Sequence, residues 1–211
     1  SGGKTLFVGG HNFGNYSNIQ DAINDATSGN TPIFVYDGSY CENLIVNKTI
    51  NLTCESNDTI IDGNREGTAV LITANWVNLT GFTIQNCGDQ ECSAGILVRT
   101  DNCNISGTIV KDCYANGILL ENASHTMLNS NDFINISMSG ILLWNTSFDN
   151  NISDNNFMQC GFGIEAGNGS YGNTIINNSF TNSSCGVFFR LNTSDNLIKE
   201  NVFVDTIYGV M

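Results

Sequence analysis

The sequence predicts an all-β fold: a single parallel β-helix of about 23 residues per coil, closed at its N-terminal end by a short helix. Three observations predict it. A glycine followed by a branched apolar residue recurs at Gly95-Ile96, Gly117-Ile118, Gly140-Ile141, Gly163-Ile164, Gly186-Val187 and Gly209-Val210, in steps of 22, 23, 23, 23 and 23 residues. A second apolar column, Ile105, Leu128, Ile152, Ile175 and Ile198, keeps the same period, and Val110, Phe133, Phe157, Phe180 and Phe203 follow its members five residues later. Finally, Asn131, Asn155, Asn178 and Asn201 each stand two residues before a column phenylalanine. Short apolar elements separated by turn residues are too brief for helical hairpins. They suit a coil in which each strand lies on its counterpart one turn earlier, about 4.8 Å away. Asparagines stacked in that way can link amide to amide while making the turn.

The elements follow in order. Leu6 to Val8 reads as a strand. Ser17 is a candidate N-cap for a helix over 18–27 that carries Ile19, Ala22, Ile23 and Ala26 on one face, suited to closing the first coil. The runs IFVY, NLIVN, INLTC, TIID, AVLITA and VNLTGFTI read as strands of wider, irregular coils over 33–94, and 95–211 as regular coils. With 1–32 as strand and cap, the whole of 1–211 forms one domain with no linker. In the glycine-led strand, the first and third residues after glycine are apolar in every complete coil and are assigned to the core. The second residue then points outward. It is Leu97, Leu119, Leu142, Glu165, Phe188 and finally Met211, with Trp144 alongside at the fourth place. The outward apolar stripe of Leu97, Leu119, Leu142, Trp144, Phe188 and Met211 is a candidate interface. Because the chain stops at Met211 within a coil, an open strand edge is expected as a second one.

Twenty acidic against seven basic residues give a net charge of −13, which argues against a nucleic-acid partner. Thirty-three asparagines and a single proline mean many tight turns, while 41% hydrophobic residues argue against disorder. The chain begins at Ser1 and has no long apolar run, so an exported, extracellular or envelope chain with its signal removed and no membrane span is expected. Eight cysteines without a CxxC pair favour disulfides over zinc. Their placement along the coils suggests Cys87 with Cys113, Cys160 with Cys185, Cys41 with Cys54 and Cys92 with Cys103; cross-links between molecules are the alternative. Fourteen Asn-x-Ser/Thr triplets begin at Asn15, Asn47, Asn51, Asn57, Asn78, Asn104, Asn122, Asn135, Asn145, Asn151, Asn168, Asn177, Asn182 and Asn192. They read equally as glycosylation acceptors and as local turn-and-strand grammar.

SNIQDAINDA, IFVYDGSYCENLIVNKTINL, TIIDGN and WVNLTGFTIQN, followed by GI…NxI…NxF repeats, resemble the right-handed parallel β-helix repeat family. That family includes carbohydrate-binding and sugar-hydrolase repeats and periplasmic copper-processing proteins. Together with the dense triplets, the resemblance is closest to archaeal cell-surface, surface-layer or sheath members. Sugar-cleaving members would hold clustered carboxylates on an outer sheet, with calcium and a basic residue in the lyases. Here Arg99 and Arg190 share an outward column four coils apart, and the intervening Glu121, Trp144 and Gly167 supply no second acid beside either. Asp58 and Asp62 could share a structural Ca2+, although turn capping is the preferred account of them. No catalytic residue and no cofactor is therefore assigned. His11 and His125 stand alone, and Met127, Met138, Met158 and Met211 form no column, so copper handling is not expected either. The function these features imply is a structural envelope protein that self-assembles into a layer or sheath, its partner a second copy of itself or cell-surface glycans. The alternative is a secreted carbohydrate-binding module, or a polysaccharide lyase or hydrolase, with Trp144 and Phe188 stacking on sugar rings.

Overall fold

In a computed structural model that describes residues 4–27, 29–88 and 93–211, strands pair in parallel with their counterparts one coil on, and three faces result. The first face comprises Leu6–Val8, Thr31–Val35, Ile50–Cys54, Asn78–Thr80, Asn104–Ser106, Met127–Asn129, Asn151–Ser153, Thr174–Ile176 and Leu197–Lys199. The second runs from Gly38–Cys41 through Thr59–Asp62, Thr83–Gln85 and Ile109–Cys113 to Ser179–Thr181 and Val202–Val204. The third runs from Leu44–Val46 through Val70–Ile72, Ala94–Val98 and Asn116–Glu121 to Cys185–Phe189 and Tyr208–Val210. The long strands Asp132–Trp144 and Asn156–Ala166 bend through the second face into the third. Along the first face the register passes through Ile33, Leu52, Leu79, Ile105, Leu128, Ile152, Ile175 and Ile198, in steps of 19, 27, 26, 23, 24, 23 and 23 residues.

The core columns are those the period implies. Ile96, Val98, Ile118, Leu120, Ile141, Leu143, Ile164, Ala166 and Val187 are fully buried. Phe133, Phe157, Phe180 and Phe203 stack with ring centroids 4.7, 4.8 and 5.1 Å apart, the strand spacing itself. This column explains the repeat glycine. A Cβ at Gly117 would stand 2.7 Å from Phe133 Cδ1, and one at Gly163 only 2.2 Å from Phe180 Cδ1. Where the column carries the smaller Ile84, the glycine's place is taken by Ala69.

The asparagine ladder forms as expected. Asn131, Asn155 and Asn178 each donate Nδ2 to the next asparagine's Oδ1 at 3.0 Å, ending on Asn201. Each Nδ2 also reaches a backbone carbonyl, so buried amides are satisfied on both sides. A second ladder, absent from the sequence reading, runs through Asn150, Asn173 and Asn196 at the turn between the third and first faces. Its members stand two residues before Ile152, Ile175 and Ile198, at the same period of 23, and that spacing was the available signal.

The N-terminal helix is Ile19–Asp25, and its Ile19, Ala22 and Ile23 are buried over the first coil. Ser17 is not its cap, and the Asn18 side chain makes no capping bond. Instead the Glu42 carboxylate accepts the Ile19 and Gln20 N–H groups at 2.8 and 2.9 Å, while Lys48 Nζ donates to the carbonyls of Asn24 and Ala26. Both ends of the helix dipole are thus answered by charges from the coil it covers.

Cys87 and Cys113 form a disulfide with a Cα separation of 4.6 Å. Cys160 with Cys185 and Cys41 with Cys54 do not pair. Cys160 lies in register with Ile136 and meets Ser183, whereas Cys185 pairs with Phe162, two residues out of step. Cys41 and Cys54 sit on different faces, opposite Asp62 and Val35. Cys92 lies outside the described residues, and Cys103 is a buried thiol. Burial pushes the Cys160 thiol up to about 12 and those of Cys54 and Cys103 to about 11, so none offers a thiolate near neutrality.

Candidate functional site

The outward stripe of the third face is not an exposed apolar strip. Leu97 and Leu119 are 5% and 4% exposed, and with Ala94 they form a second small apolar cluster outside the coil. Leu71, Leu142 and Trp144 pack against it. Side chains on successive rungs touch and shield one another, so a straight leucine column is covered without a partner. Of the predicted interface residues, Leu142, Trp144 and Phe188 are half-buried and Met211 is half-exposed.

Below the leucines the same columns become polar. Outward positions in register run Leu97, Leu119, Leu142, Glu165 and Phe188, and the next column runs Arg99, Glu121, Trp144, Gly167 and Arg190. Each arginine does have an acid beside it. Arg99 Nε meets Glu121 Oε2 at 2.6 Å, an exposed surface pair. Arg190 Nε donates to Glu165 Oε1, a diagonal contact one rung back and invisible to a single-column reading. Glu165 is 2% exposed, and its Oε2 accepts the Ser139 hydroxyl at 2.6 Å.

Gly167 makes the arrangement possible. A Cβ there would lie 2.7 Å from Trp144 Cζ3 and 3.0 Å from Arg190 Cδ. Without one, Arg190 Cζ reaches to 5.7 Å from the Trp144 ring and 5.9 Å from the Phe188 ring, within cation–π range. Phe188 itself stacks on Phe162 at 5.0 Å. The result is an arginine fixed by a buried carboxylate and two aromatic rings. It sits beside a cavity of about 480 Å³ lined also by Asn168, Phe189, Leu191 and Asn192. The groove offers guanidinium and amide donors and aromatic surface, but no free carboxylate among its lining residues.

A larger cavity of about 630 Å³ at the bend between the second and third faces is bordered by the Cys87–Cys113 disulfide, Arg65, Asp112 and Tyr114. Its acid, Asp112, is engaged by Asn135 Nδ2 at 2.7 Å. Asp62 faces Gln85, Asn86 and the Asn64 N–H. Burial acts to raise its carboxyl, but these donors and Arg65 outweigh that and hold it below the usual range. Its two oxygens are taken up by these bonds, one within the turn and two from the next coil. Among the described residues no three His, Cys, Asp or Glu side chains form a group fit for a metal ion. His125 stands 4.0 Å from Asp149 and 3.0 Å from the Ser124 hydroxyl. Met127 lies on the first face and Met158 on the second.

None of the fourteen triplet asparagines is buried. Seven of them (Asn122, Asn135, Asn145, Asn168, Asn177, Asn182 and Asn192) have φ between 50° and 67°, the left-handed turn conformation. Asn51, Asn78 and Asn104 stack outward on the first face. These turn and strand positions, none of them buried, suit both readings of the triplets.

Solved structures share the fold. The alginate lyase from Paenibacillus sp. str. FPU-7 superposes with a TM-score of 0.75 at 15% identity, covering 89% of this chain and 73% of that one. The pectin methylesterase from carrot does so at 0.63 and 12%, covering 98% and 88%. That from Aspergillus niger does so at 0.62 and 11%, covering 97% and 85%. At such identities the likeness is one of fold. No curated protein matches the chain. The family profile described as periplasmic copper-binding protein (NosD) matches residues 4–210, every rung from the cap strand to the last coil, and the chain belongs to that family.

Proposed function

We propose that this protein is an exported glycan-binding β-helix whose binding surface is the third-face groove around Arg190. The carrying observation is the arginine itself, anchored on Glu165, Trp144 and Phe188 at the side of an open cavity with two asparagine amides. An anchored guanidinium gives directional donors to sugar oxygens with little entropy left to lose, and the rings suit the apolar face of a pyranose. The carboxylate favours binding over acid–base hydrolysis. Both Glu165 oxygens are committed to Arg190 and Ser139, so no acid–base pair faces the groove.

Copper, which the family description names, finds no matching donor set among the described residues. The described thiols are single, and three of them are held protonated by burial, while the methionines are dispersed. The layer- or sheath-forming role expected from the resemblance to surface-layer members leaned on the lateral stripe and on an open strand edge at the last coil, and the burial of Leu97 and Leu119 removes the first of these supports.

Isothermal titration of the full chain with oligosaccharides tests the proposal. The expected result is binding that weakens about tenfold or more in Phe188→Ala and in Leu191→Ser, a residue 88% exposed, with an unchanged unfolding midpoint for the latter. No binding by any oligosaccharide, or unaltered binding in both variants, would overturn it.

A further inference from the structure

We infer that the groove selects neutral hexose chains over uronic-acid chains, and that Glu165 sets this choice; the inference rests on the glycan-binding reading above. Packing does not call for a carboxylate at this position. The rungs of the same column carry Leu97, Leu119, Leu142 and Phe188, and an apolar side chain of similar size fills the place. A buried ion pair is seldom more stabilising than such a residue. What Glu165 does is visible in its contacts. With its side chain only 3% exposed, it takes the Ser139 hydroxyl on one oxygen and Arg190 Nε on the other. Arg190 remains 48% exposed, so the guanidinium edge not used by Glu165 is the part offered to a ligand.

The groove therefore presents donors without net charge. Among the described residues no second lysine or arginine lines it, and the chain as a whole carries −13. A ligand carboxylate on the open edge of Arg190 would sit on the order of 6 Å from the Glu165 carboxylate in a half-desolvated site, where repulsion cancels most of the attraction to the guanidinium. Sugar hydroxyls meet the same donors without that opposition. Neutral chains are favoured by about tenfold or more.

The test titrates the full chain with oligosaccharides of glucose and of galacturonic acid of equal length, at low salt and at about 0.5 M salt. Wild type binds the glucose chain more tightly, with little salt dependence. Glu165→Gln keeps the shape and an acceptor for Arg190 but leaves the groove cationic. It gains about tenfold or more for the galacturonic chain in low salt, and loses that gain in high salt. Glu165→Leu, which restores the residue of neighbouring rungs, moves the preference in the same direction and guards against a misfolded glutamine variant. Galacturonic chains bound as tightly as glucose chains by wild type, or a preference unmoved in both variants, overturns the inference while leaving glycan binding intact. Failure of both chains to bind wild type overturns the glycan-binding reading and the inference with it.

Discussion

Asn155→Ala removes the middle of the first amide ladder, and its cost can be worked from the bonds that remain. Asn155 is 2% exposed; its Nδ2 donates to Leu128 O at 2.8 Å and to Asn178 Oδ1 at 3.0 Å, and its Oδ1 accepts the Asn131 N–H and Nδ2, both at 3.0 Å. After truncation Asn131 Nδ2 keeps Ile105 O, and Asn178 Oδ1 keeps the backbone N–H of residue 155. One group loses its only partner, the Asn131 N–H, while the Leu128 carbonyl keeps the Ser153 N–H of the strand ladder. At about 1–3 kcal/mol for that buried unsatisfied group, the loss centres on about 2 kcal/mol. Asn201 ends the ladder half-exposed, where water can replace the lost bonds, and Asn201→Ala is expected to cost only about 1 kcal/mol. Urea unfolding gives the difference directly. Hydrogen exchange at the Asn131 amide, expected to accelerate by about thirtyfold, shows whether the loss is local to the rung. A cost below about 1 kcal/mol at Asn155, or equal costs at Asn155 and Asn201, refutes the reasoning.

Other perturbations separate the remaining contributions. Gly163→Ala places a Cβ 2.2 Å from Phe180 Cδ1 and 2.7 Å from Gly186 O, so a loss of about 1–3 kcal/mol is expected on thermal unfolding. Gly209→Ala, whose nearest neighbour would be at 3.5 Å, should lie within about 0.5 kcal/mol of wild type. Because burial raises the Cys160 thiol from 9.0 to about 12, the unfolded chain gives up this proton first as pH rises. Its contribution is therefore whole below pH 9 and declines from there toward 12, and urea midpoints in Cys160→Val should fall less steeply over that window. Reducing the Cys87–Cys113 bridge, which closes a separation of 26 residues, should lower stability by about 3 kcal/mol, read from urea curves with and without reductant.

What the sequence disclosed was what repeats with the coil. Core columns, repeat glycines and the ladder through Asn131, Asn155, Asn178 and Asn201 all recur at one phase, and the Cys87–Cys113 bridge links equivalent positions of adjacent coils. What it withheld lies between columns or between distant elements. The Glu42 cap reaches a helix 23 residues earlier through a carboxylate that no local motif announces. The Glu165–Arg190 contact joins residues 25 apart across two columns, and only a diagonal comparison brings them together. Direction in a strand was legible while exposure was not. Leu97 and Leu119 do point away from the core, yet each is shielded by its neighbours on adjoining rungs. The second ladder, through Asn150, Asn173 and Asn196, was legible at the known period but stood at a different phase.

The most direct test of the central claim is calorimetric titration of the full chain and its Arg190→Lys variant with a neutral oligosaccharide. Lysine keeps a positive charge beside Glu165 but lacks the planar fork of donors held between Trp144 and Phe188. The account predicts measurable binding by wild type and a loss of about tenfold or more in the variant, with its unfolding midpoint little changed. Equal affinity in the two proteins, or no heat of binding in wild type, would contradict it.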